Sequence, residues 1–156
     1  MRLGSFFALL FFVLLSLGAG FIGSAFTMSE IGTWYAGLTK PSWTPPNWVF
    51  GPVWTTLYVL MGTAAFLVSR SKKLGKYPVL WLFVAHLVVN TLWSIVFFTL
   101  HELLLATIVI LLLDVLVALL IKLFWRHSHA ASYLLVPYLL WCLYATSLTI
   151  GILVLN

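Results

Sequence analysis

The chain has 156 residues, of which 63% are hydrophobic and 7% are charged, and its formal net charge is +5 at pH 7. A soluble domain carries about 25% charged residues, so this composition excludes an ordinary water-soluble fold and predicts one integral membrane domain over residues 1–156. The basic residues stand at the ends of apolar segments, so the expected partner is the lipid bilayer and not nucleic acid.

Five apolar segments are long enough to cross a bilayer as helices, which takes about 20 residues each. We expect these helices at about residues 5–27, 47–68, 78–99, 103–124 and 132–155. Barrel strands alternate in polarity over about 10 residues, whereas these segments are continuously apolar. The predicted fold class is therefore all-α, an integral membrane bundle of five transmembrane helices.

The first segment has some features of a secretory signal peptide, because Arg2 precedes an apolar core that ends in small residues. The segment stays apolar beyond this cluster for long enough to span, so we expect it to be retained as the first helix. Its small residues recur four apart in the pairs Ala19/Gly23 and Gly20/Ser24. This spacing is typical of a close helix contact, either inside the bundle or across a dimer.

The loop between the first two helices, residues 28–46, is rich in tryptophan and proline. Its prolines, including Pro41, oppose a continuous helix. Aromatic residues such as Trp34 and Trp43 offer too much apolar area to leave in water, so we expect an ordered lid folded over the bundle. The alternative left open is an aromatic belt at the membrane interface, where Trp and Tyr are enriched.

The third segment carries a stripe of polar and aromatic residues on one helical face: His86, Asn90, Trp93, Ser94 and Phe97. Polar groups at membrane depth face the bundle interior, a cavity or another helix. Asn90 could orient a ligand or bond a neighbouring helix. His86 could ligate haem iron or make a structural hydrogen bond.

Asp114 lies near the middle of the fourth segment, where a charged side chain costs about 2.5–3.5 kcal/mol. It should therefore face inward with a partner or be protonated, and a role in a proton relay is a further alternative. The candidate partners are His86, Asn90, Tyr138 and Tyr144.

The fifth segment repeats Trp141, Ala145 and Thr149 at a spacing of four, with Leu148 alongside. This arrangement places a tryptophan above a floor of small residues. It suits either a flat ligand or close helix packing alone.

The cations are distributed unequally between the two sides of the predicted bundle. Lys40 stands alone on one side. The other side carries Arg2, Arg70, Lys72, Lys73, Lys76, Lys122 and Arg126. The positive-inside rule then predicts a cytoplasmic amino terminus and a carboxyl terminus outside.

Three blocks of the sequence resemble, in the same order, the TspO family, whose members are also called translocator proteins or tryptophan-rich sensory proteins. The first block is WYAGLTKPSWTPPNWVFGPVW at residues 34–54. The second is NTLWSIVFF at residues 90–98, and the third is PYLLWCLYATSL at residues 137–148. The resemblance covers essentially the whole chain.

This resemblance implies a five-helix membrane bundle, often dimeric, that binds protoporphyrin, haem and similar flat ligands in a cavity under the first loop. It implies ligand-binding roles for Trp34, Trp43, Trp48, Trp54, Asn90, Trp93, Trp141, Ala145 and Leu148. We add Lys40, which could meet a porphyrin carboxylate or simply extend to the membrane interface. No metal site and no required cofactor are expected, since the porphyrin or haem is the ligand.

The resemblance also allows an enzyme that degrades protoporphyrin in light, as an alternative to a receptor or translocator-like protein. A structural membrane protein without a small-molecule ligand is a third possibility. Many family members have an acid where this chain has Val109, and Asp114 lies on a different part of the helix. The sterol-recognition pattern of some animal members is absent, with Ile150 and Val154 at its positions, so sterol binding there is not expected.

Overall fold

The computed structural model describes residues 3–156, so Arg2, counted above among the cations, lies outside the described residues. Within that range the chain forms α1 (Leu3–Met28), α2 (Trp34–Gly37), α3 (Phe50–Ser69), α4 (Lys76–Ser94), α5 (Leu103–His127) and α6 (His129–Leu155). Five of these helices, all except the short α2, are long and apolar enough to span a membrane. The prediction of an all-α bundle with five transmembrane helices is confirmed.

Two irregular turns extend the spanning helices. A 3₁₀ turn over Asn47–Val49 leads into α3. A π-helical turn over Ile95–Thr99 continues α4, and in it the Leu100 N–H donates to the Ile95 carbonyl at 3.0 Å. A π turn shifts the angular positions of the side chains relative to an α-helix. Here the turn accompanies the burial of three successive residues, 96–98.

The connection between α5 and α6 differs most from the predicted boundaries. We expected a loop at residues 125–131, but only Ser128 lies outside the two helices. Its extended backbone interrupts the helix, and its hydroxyl oxygen accepts a hydrogen bond from the Ala131 N–H at 3.3 Å. Serine is favoured at such an N-cap because its side chain satisfies a free N–H of the first turn. One capping residue therefore replaces the expected loop.

The bundle is packed most densely in the half near the α3–α4 and α5–α6 connections. Large side chains are fully buried there, including Met61, Phe83, Leu120, Phe124 and Leu135. A second, smaller group of buried aromatic and aliphatic residues lies at the opposite end, beneath the first loop. The space between the helices that remains open lies towards this second end.

Helix α1 packs against α3 and α4 through its small residues. A Cβ on Gly20 would collide with the ring of Tyr58, and the Ala19 carbonyl accepts a hydrogen bond from the Thr91 hydroxyl at 3.2 Å. Gly23 is buried as well. Of the two contacts that the spacing of these residues allowed, the structure contains the one inside the bundle.

Candidate functional site

A cavity of about 620 Å³ lies between α1, α3, α4 and α6, under the first loop. Binding sites for small molecules typically have volumes of about 300–1,000 Å³. The rim residues Phe21, Met28 and Trp48 are 77%, 74% and 75% exposed. The cavity therefore opens between the end of α1 and the start of α3.

Stacked aromatic pairs on two helices form much of the cavity wall. On α3, Trp54 and Tyr58 are one turn apart, with ring centroids 5.6 Å apart and planes inclined by 28°. On α4 and its π turn, Trp93 and Phe97 stack at 5.5 Å and 27°. Such rings present broad apolar faces to whatever occupies the cavity.

Small residues keep the remaining walls of the cavity open. Gly20 and Gly23 bring the backbone of α1 to the wall, and Ala145 does the same on α6. At Gly23 an added Cβ would lie 3.2 Å from the Ser94 hydroxyl oxygen, which is tight for a carbon contact. The wall is thus made of aromatic faces on α3 and α4 and of small side chains on α1 and α6.

Asn90 marks the polar base of the cavity. The Tyr58 hydroxyl donates to Asn90 Oδ1 at 2.5 Å, and Asn90 Nδ2 donates to the Tyr138 hydroxyl at 3.0 Å. These bonds join α3, α4 and α6 inside the bundle, where an unpaired polar group would be costly. Of the two roles considered for Asn90, the helix-bonding one is present in the structure, while ligand contact stays a prediction.

Two tryptophans have buried indole N–H groups without a hydrogen-bond acceptor among the described residues. Trp93 lines the cavity, but its indole nitrogen is itself covered by protein atoms. Trp141 lies outside the cavity lining and packs edge-on against Phe50, a wall residue, at 5.9 Å. A buried donor without a partner costs about 1–3 kcal/mol, so each of these two N–H groups lowers the stability of the bundle.

The loop at residues 29–46, which we call the lid, covers this end of the bundle. Tyr35 of α2 is only 6% exposed and packs against Phe97 and Phe98, and it also lines the cavity. Burial, with a smaller contribution from nearby Tyr144, raises the pKa of the Tyr35 hydroxyl. The predicted ordered lid is therefore present in the structure, and an interfacial belt alone does not account for a buried Tyr35.

Further contacts tie the lid to α6 and to itself. The Tyr144 hydroxyl donates to the Trp43 carbonyl at 2.7 Å. Lys40 Nζ donates to the Leu38 carbonyl at 3.2 Å and lies 4.7 Å from the ring centroid of Tyr35. The ammonium group of Lys40 thus already has partners within the lid.

Trp34 supports the cavity wall from behind. Its ring stacks on His101 at 4.1 Å and 16°, and it meets Phe97 edge-on at 5.4 Å. His101 has a positive φ of 57° and places Nε2 3.5 Å from Glu30 Oε2. Trp34 therefore joins the first half of the lid to the connection between α4 and α5.

The ten residues predicted to contact a ligand fall into three groups. Six of them line the cavity: Trp48, Trp54, Asn90, Trp93, Ala145 and Leu148. Lys40 and Trp43 lie instead in a groove between the lid and the outer face of α6. Trp34 and Trp141 stand behind the wall. Ligand contact by each of the ten stays a prediction.

Several cavity residues were missed in the sequence, including Tyr35, Tyr58 and the residues of α1. Tyr58 could have been found, because it lies four residues after Trp54 and so shares its helical face. The small residues of α1 indicated a close approach of helices. They gave no sign that the same helix also borders a cavity.

The predicted partners of Asp114 were wrong. The Thr146 hydroxyl donates to Asp114 Oδ2 at 2.7 Å, while Asp114 Oδ1 is buried without a partner among the described residues. The carboxylate bonds none of the four partners suggested from the sequence, which were His86, Asn90, Tyr138 and Tyr144. The rotation of α5 against α6 decides this pairing, and hydropathy does not reveal it.

His86 is fully buried but does not line the cavity. Its Nδ1 lies 2.5 Å from the Phe83 carbonyl oxygen, and its ring meets Tyr138 edge-on at 5.7 Å. These contacts fit the structural role considered for this histidine. Within residues 3–156, no three His, Cys, Asp or Glu side chains come together as a metal site.

Comparison with known proteins supplies the family context. The model of the TspO/MBR family matches residues 12–155. The chain is 43% identical over 144 residues to the tryptophan-rich protein TspO of Archaeoglobus fulgidus, covering 92% of this chain and 94% of that protein. It is 40% identical over 138 residues to the human translocator protein, covering 85% and 80% of the two chains. A tryptophan-rich sensory protein of Cereibacter sphaeroides is 39% identical over 123 residues, covering 79% and 77%.

Proposed function

The chain belongs to the TspO/MBR family and is a multi-pass membrane protein, and from this premise we propose that it is a receptor or translocator-like protein for porphyrins. The ligand would be protoporphyrin, haem or a similar flat apolar molecule, bound in the cavity under the lid. The observation that carries the proposal is a cavity of about 620 Å³ under the lid with two stacked aromatic pairs in its wall.

The chemistry of the wall suits a porphyrin, which has two broad apolar faces. Trp54 and Trp93 expose ring faces in the same cavity, and aromatic pairs contribute about 0.5–1.5 kcal/mol beyond the area they bury. The small side chains of α1 and α6 leave room beside these rings. A volume of about 620 Å³ is appropriate for a molecule of this class.

The opening of the cavity suits the carboxylates on a porphyrin rim. The polar residues of the lining near the start of α3 are Ser24, Thr27, Asn47 and Thr55. The three hydroxyls donate to carbonyls of their own helices, so they would have to rotate to bond a carboxylate. Because Thr27 and Asn47 stand at the lid ends of their spanning helices, a carboxylate placed there would lie towards the membrane surface, where its charge is less costly than at the bilayer centre. Lys40 lies in the neighbouring groove and bonds the lid, so a contact with a propionate would require it to leave those carbonyl groups.

The experiment is a titration of detergent-solubilised protein with protoporphyrin, followed by quenching of tryptophan fluorescence. We expect saturable quenching, with weaker affinity in Trp93→Phe, which replaces the indole by a smaller ring and so reduces the stacking area, and in Ala145→Phe, which fills the cavity. Trp125→Phe is the matched control, because Trp125 lies at the other end of the bundle. Linear, unsaturable quenching of the wild type would refute the proposal.

A second candidate function is the breakdown of protoporphyrin in light. It is favoured by one feature, the presence of Trp54 and Trp93 in the cavity wall, because indole rings are readily oxidised by an excited macrocycle next to them. Illumination of the complex under air should then give a discrete product, and Trp54→Phe or Trp93→Phe should slow its formation. Bleaching at the same rate as porphyrin in empty detergent micelles would leave binding as the function.

For the orientation we propose a cytoplasmic amino terminus and a carboxyl terminus outside, by the positive-inside rule. In a Cys142→Ala background, Ser42→Cys in the lid and Leu74→Cys in the α3–α4 loop report opposite sides. A membrane-impermeant maleimide should label Ser42→Cys in intact cells and Leu74→Cys only after lysis. The reverse pattern would invert the topology.

We also propose a homodimer, as the family resemblance implies. Exposed apolar side chains of α1, such as Phe7, Phe11 and Leu14, offer a face for a second copy. Light scattering in detergent should then give a protein mass of twice the 17.5 kDa of the chain. A monomeric mass over a range of detergent concentrations would oppose it.

A further inference from the structure

The end of the bundle opposite the lid carries a concentrated positive charge. Six cations lie there, in the α3–α4 loop, at the start of α4 and at the end of α5: Arg70, Lys72, Lys73, Lys76, Lys122 and Arg126. We call this set the basic end. The chain has only three acidic residues. Glu30 and Glu102 belong to the lid end, and Asp114 lies inside α5, so no carboxylate side chain balances the basic end.

Two lysines of the basic end, Lys73 and Lys76, are held in place by neutral acceptors. Lys73 Nζ donates to the Arg126 carbonyl at 2.7 Å, which ties the α3–α4 loop to the end of α5. Lys76 Nζ donates to the carbonyls of Ser69 and Ser71, each at 3.0 Å. Backbone carbonyls orient an ammonium group but leave its net charge uncompensated. An anionic partner would therefore find these charges already positioned.

The loop is further fixed by a contact between Ser71 Oγ and Nδ1 of His127, 3.3 Å apart. Lys73, Lys76 and Arg126 thus belong to one surface built from three parts of the chain. The side chains of Lys73 and Lys76 are held by these bonds, while Arg126 takes part through its backbone carbonyl. A compact group with several oxygens, such as a phosphate, matches several donors at short range.

The apolar surroundings point to a lipid and not to a soluble anion. Leu74, which stands between Lys73 and Lys76, is 97% exposed. Exposed aromatic side chains surround this end of the bundle: Tyr77, Trp81, Trp125 and Tyr133. Trp and Tyr are typical of the headgroup level of a bilayer. At this level an exposed leucine can contact acyl chains while the neighbouring lysines contact headgroups. The basic end therefore lies where lipid phosphates are.

We propose that the basic end binds the phosphate headgroup of an anionic phospholipid, with Lys73, Lys76 and Arg126 around one headgroup. Basic pockets between transmembrane helices bind anionic headgroups in this way. The site is separate from the cavity under the lid and does not depend on the function proposed for that cavity. The charge of the headgroup determines which lipid binds at the basic end, so a zwitterionic lipid with the same acyl chains should compete poorly.

The test is native mass spectrometry of the full chain in neutral detergent, titrated with phosphatidylglycerol or phosphatidylcholine carrying the same acyl chains. We expect saturable binding of phosphatidylglycerol at a Kd about 100-fold below that of phosphatidylcholine, since each of the three basic residues around the headgroup contributes about a factor of five. Lys73→Gln should weaken phosphatidylglycerol binding about five-fold. Lys40→Gln removes the same charge at the lid end and should leave it unchanged.

Three results would overturn the proposal. Equal affinity for the two lipids would mean that charge does not select the lipid. An equal loss of affinity for phosphatidylglycerol in Lys73→Gln and Lys40→Gln would mean that only the net charge of the protein matters. Displacement of phosphatidylglycerol by inorganic phosphate at the same concentration would assign the site to a soluble anion. The melting temperature of each variant separates loss of the fold from loss of this site.

Discussion

The side chain of Asn156 exchanges two hydrogen bonds with the backbone of Thr39. The Thr39 N–H donates to Asn156 Oδ1 at 2.9 Å, and Asn156 Nδ2 donates to the Thr39 carbonyl at 3.0 Å. These residues are 117 positions apart in the chain, so the pair fixes the middle of the lid to the end of α6. With the bond from Tyr144 to the Trp43 carbonyl, it gives the lid two attachments to the same helix.

Replacement of Asn156 should loosen the lid without unfolding the bundle. In Asn156→Ala both bonds to Thr39 are lost, and the amide of Thr39 becomes free to exchange with solvent. Hydrogen–deuterium exchange should therefore accelerate in peptides covering residues 36–46 and stay unchanged in α4 and α5. Ser42→Ala, at an exposed lid residue, is the control. Unchanged exchange in Asn156→Ala would mean that other contacts hold the lid.

The hydrogen bonds that join Tyr58, Asn90 and Tyr138 should contribute to stability. A substitution should cost more when it leaves more of these polar groups without a partner. Tyr58→Phe removes one hydrogen bond to Asn90 and should cost about 0.5–1.5 kcal/mol. Asn90→Leu leaves the hydroxyls of both Tyr58 and Tyr138 without this partner and should cost about 1–3 kcal/mol. Unfolding in mixed micelles of increasing denaturing detergent measures both. If Asn90→Leu is the milder of the two, the amide is not the centre of the network.

Two glycines of α1 provide a matched pair of substitutions. A Cβ on Gly20 would collide with the Tyr58 ring, so Gly20→Ala should be destabilising by about 1–3 kcal/mol and should weaken porphyrin binding. At Gly18 an added Cβ meets nothing within 4 Å. Gly18→Ala should therefore be neutral or stabilising by about 0.5–1 kcal/mol, as expected for a helix interior. Melting temperatures and titrations of both variants check this, and equal effects would contradict the packing of α1 on α3.

The fold followed from the sequence because membrane helices are specified by local composition. Each spanning segment satisfies its own backbone hydrogen bonds, so length and apolarity were sufficient to place all five. The loop expected at 125–131 was wrong because a capping serine at Ser128 permits a tighter connection than polarity suggests. Hydropathy contains no information on such single-residue caps.

Only part of the candidate site could be predicted from the sequence, because the site depends on how the helices are rotated against one another. Six of the nine residues taken from the family resemblance lie in the cavity wall, while Trp141 lies one layer behind it, against Phe50. The stripe on the third segment correctly placed Asn90 and Trp93 towards the interior, since helical periodicity determines a face. Which neighbour that face meets is a tertiary property, and the partners of Asp114 were wrong for the same reason.

The pair formed by Asp114 and Thr146 can be tested by a double-mutant cycle. Thr146→Val removes the hydrogen bond to Asp114 Oδ2 and leaves both carboxylate oxygens without partners in the bundle. This should cost about 1–3 kcal/mol, the usual range for a buried polar group that loses its partner. Asp114→Leu removes the carboxylate itself, so it should be less harmful than Thr146→Val or even stabilising.

In the double variant Asp114→Leu/Thr146→Val the penalty of the threonine substitution should largely disappear. Replacement of both partners by apolar groups of similar shape is often nearly neutral, because no buried polar atom is left unpaired. A coupling of about 0.5–3 kcal/mol is then expected between the two sites. Strictly additive effects would mean that the bond contributes nothing to stability. Asp114 would then require a different reason for its place in the membrane, and proton transfer would be the first to examine.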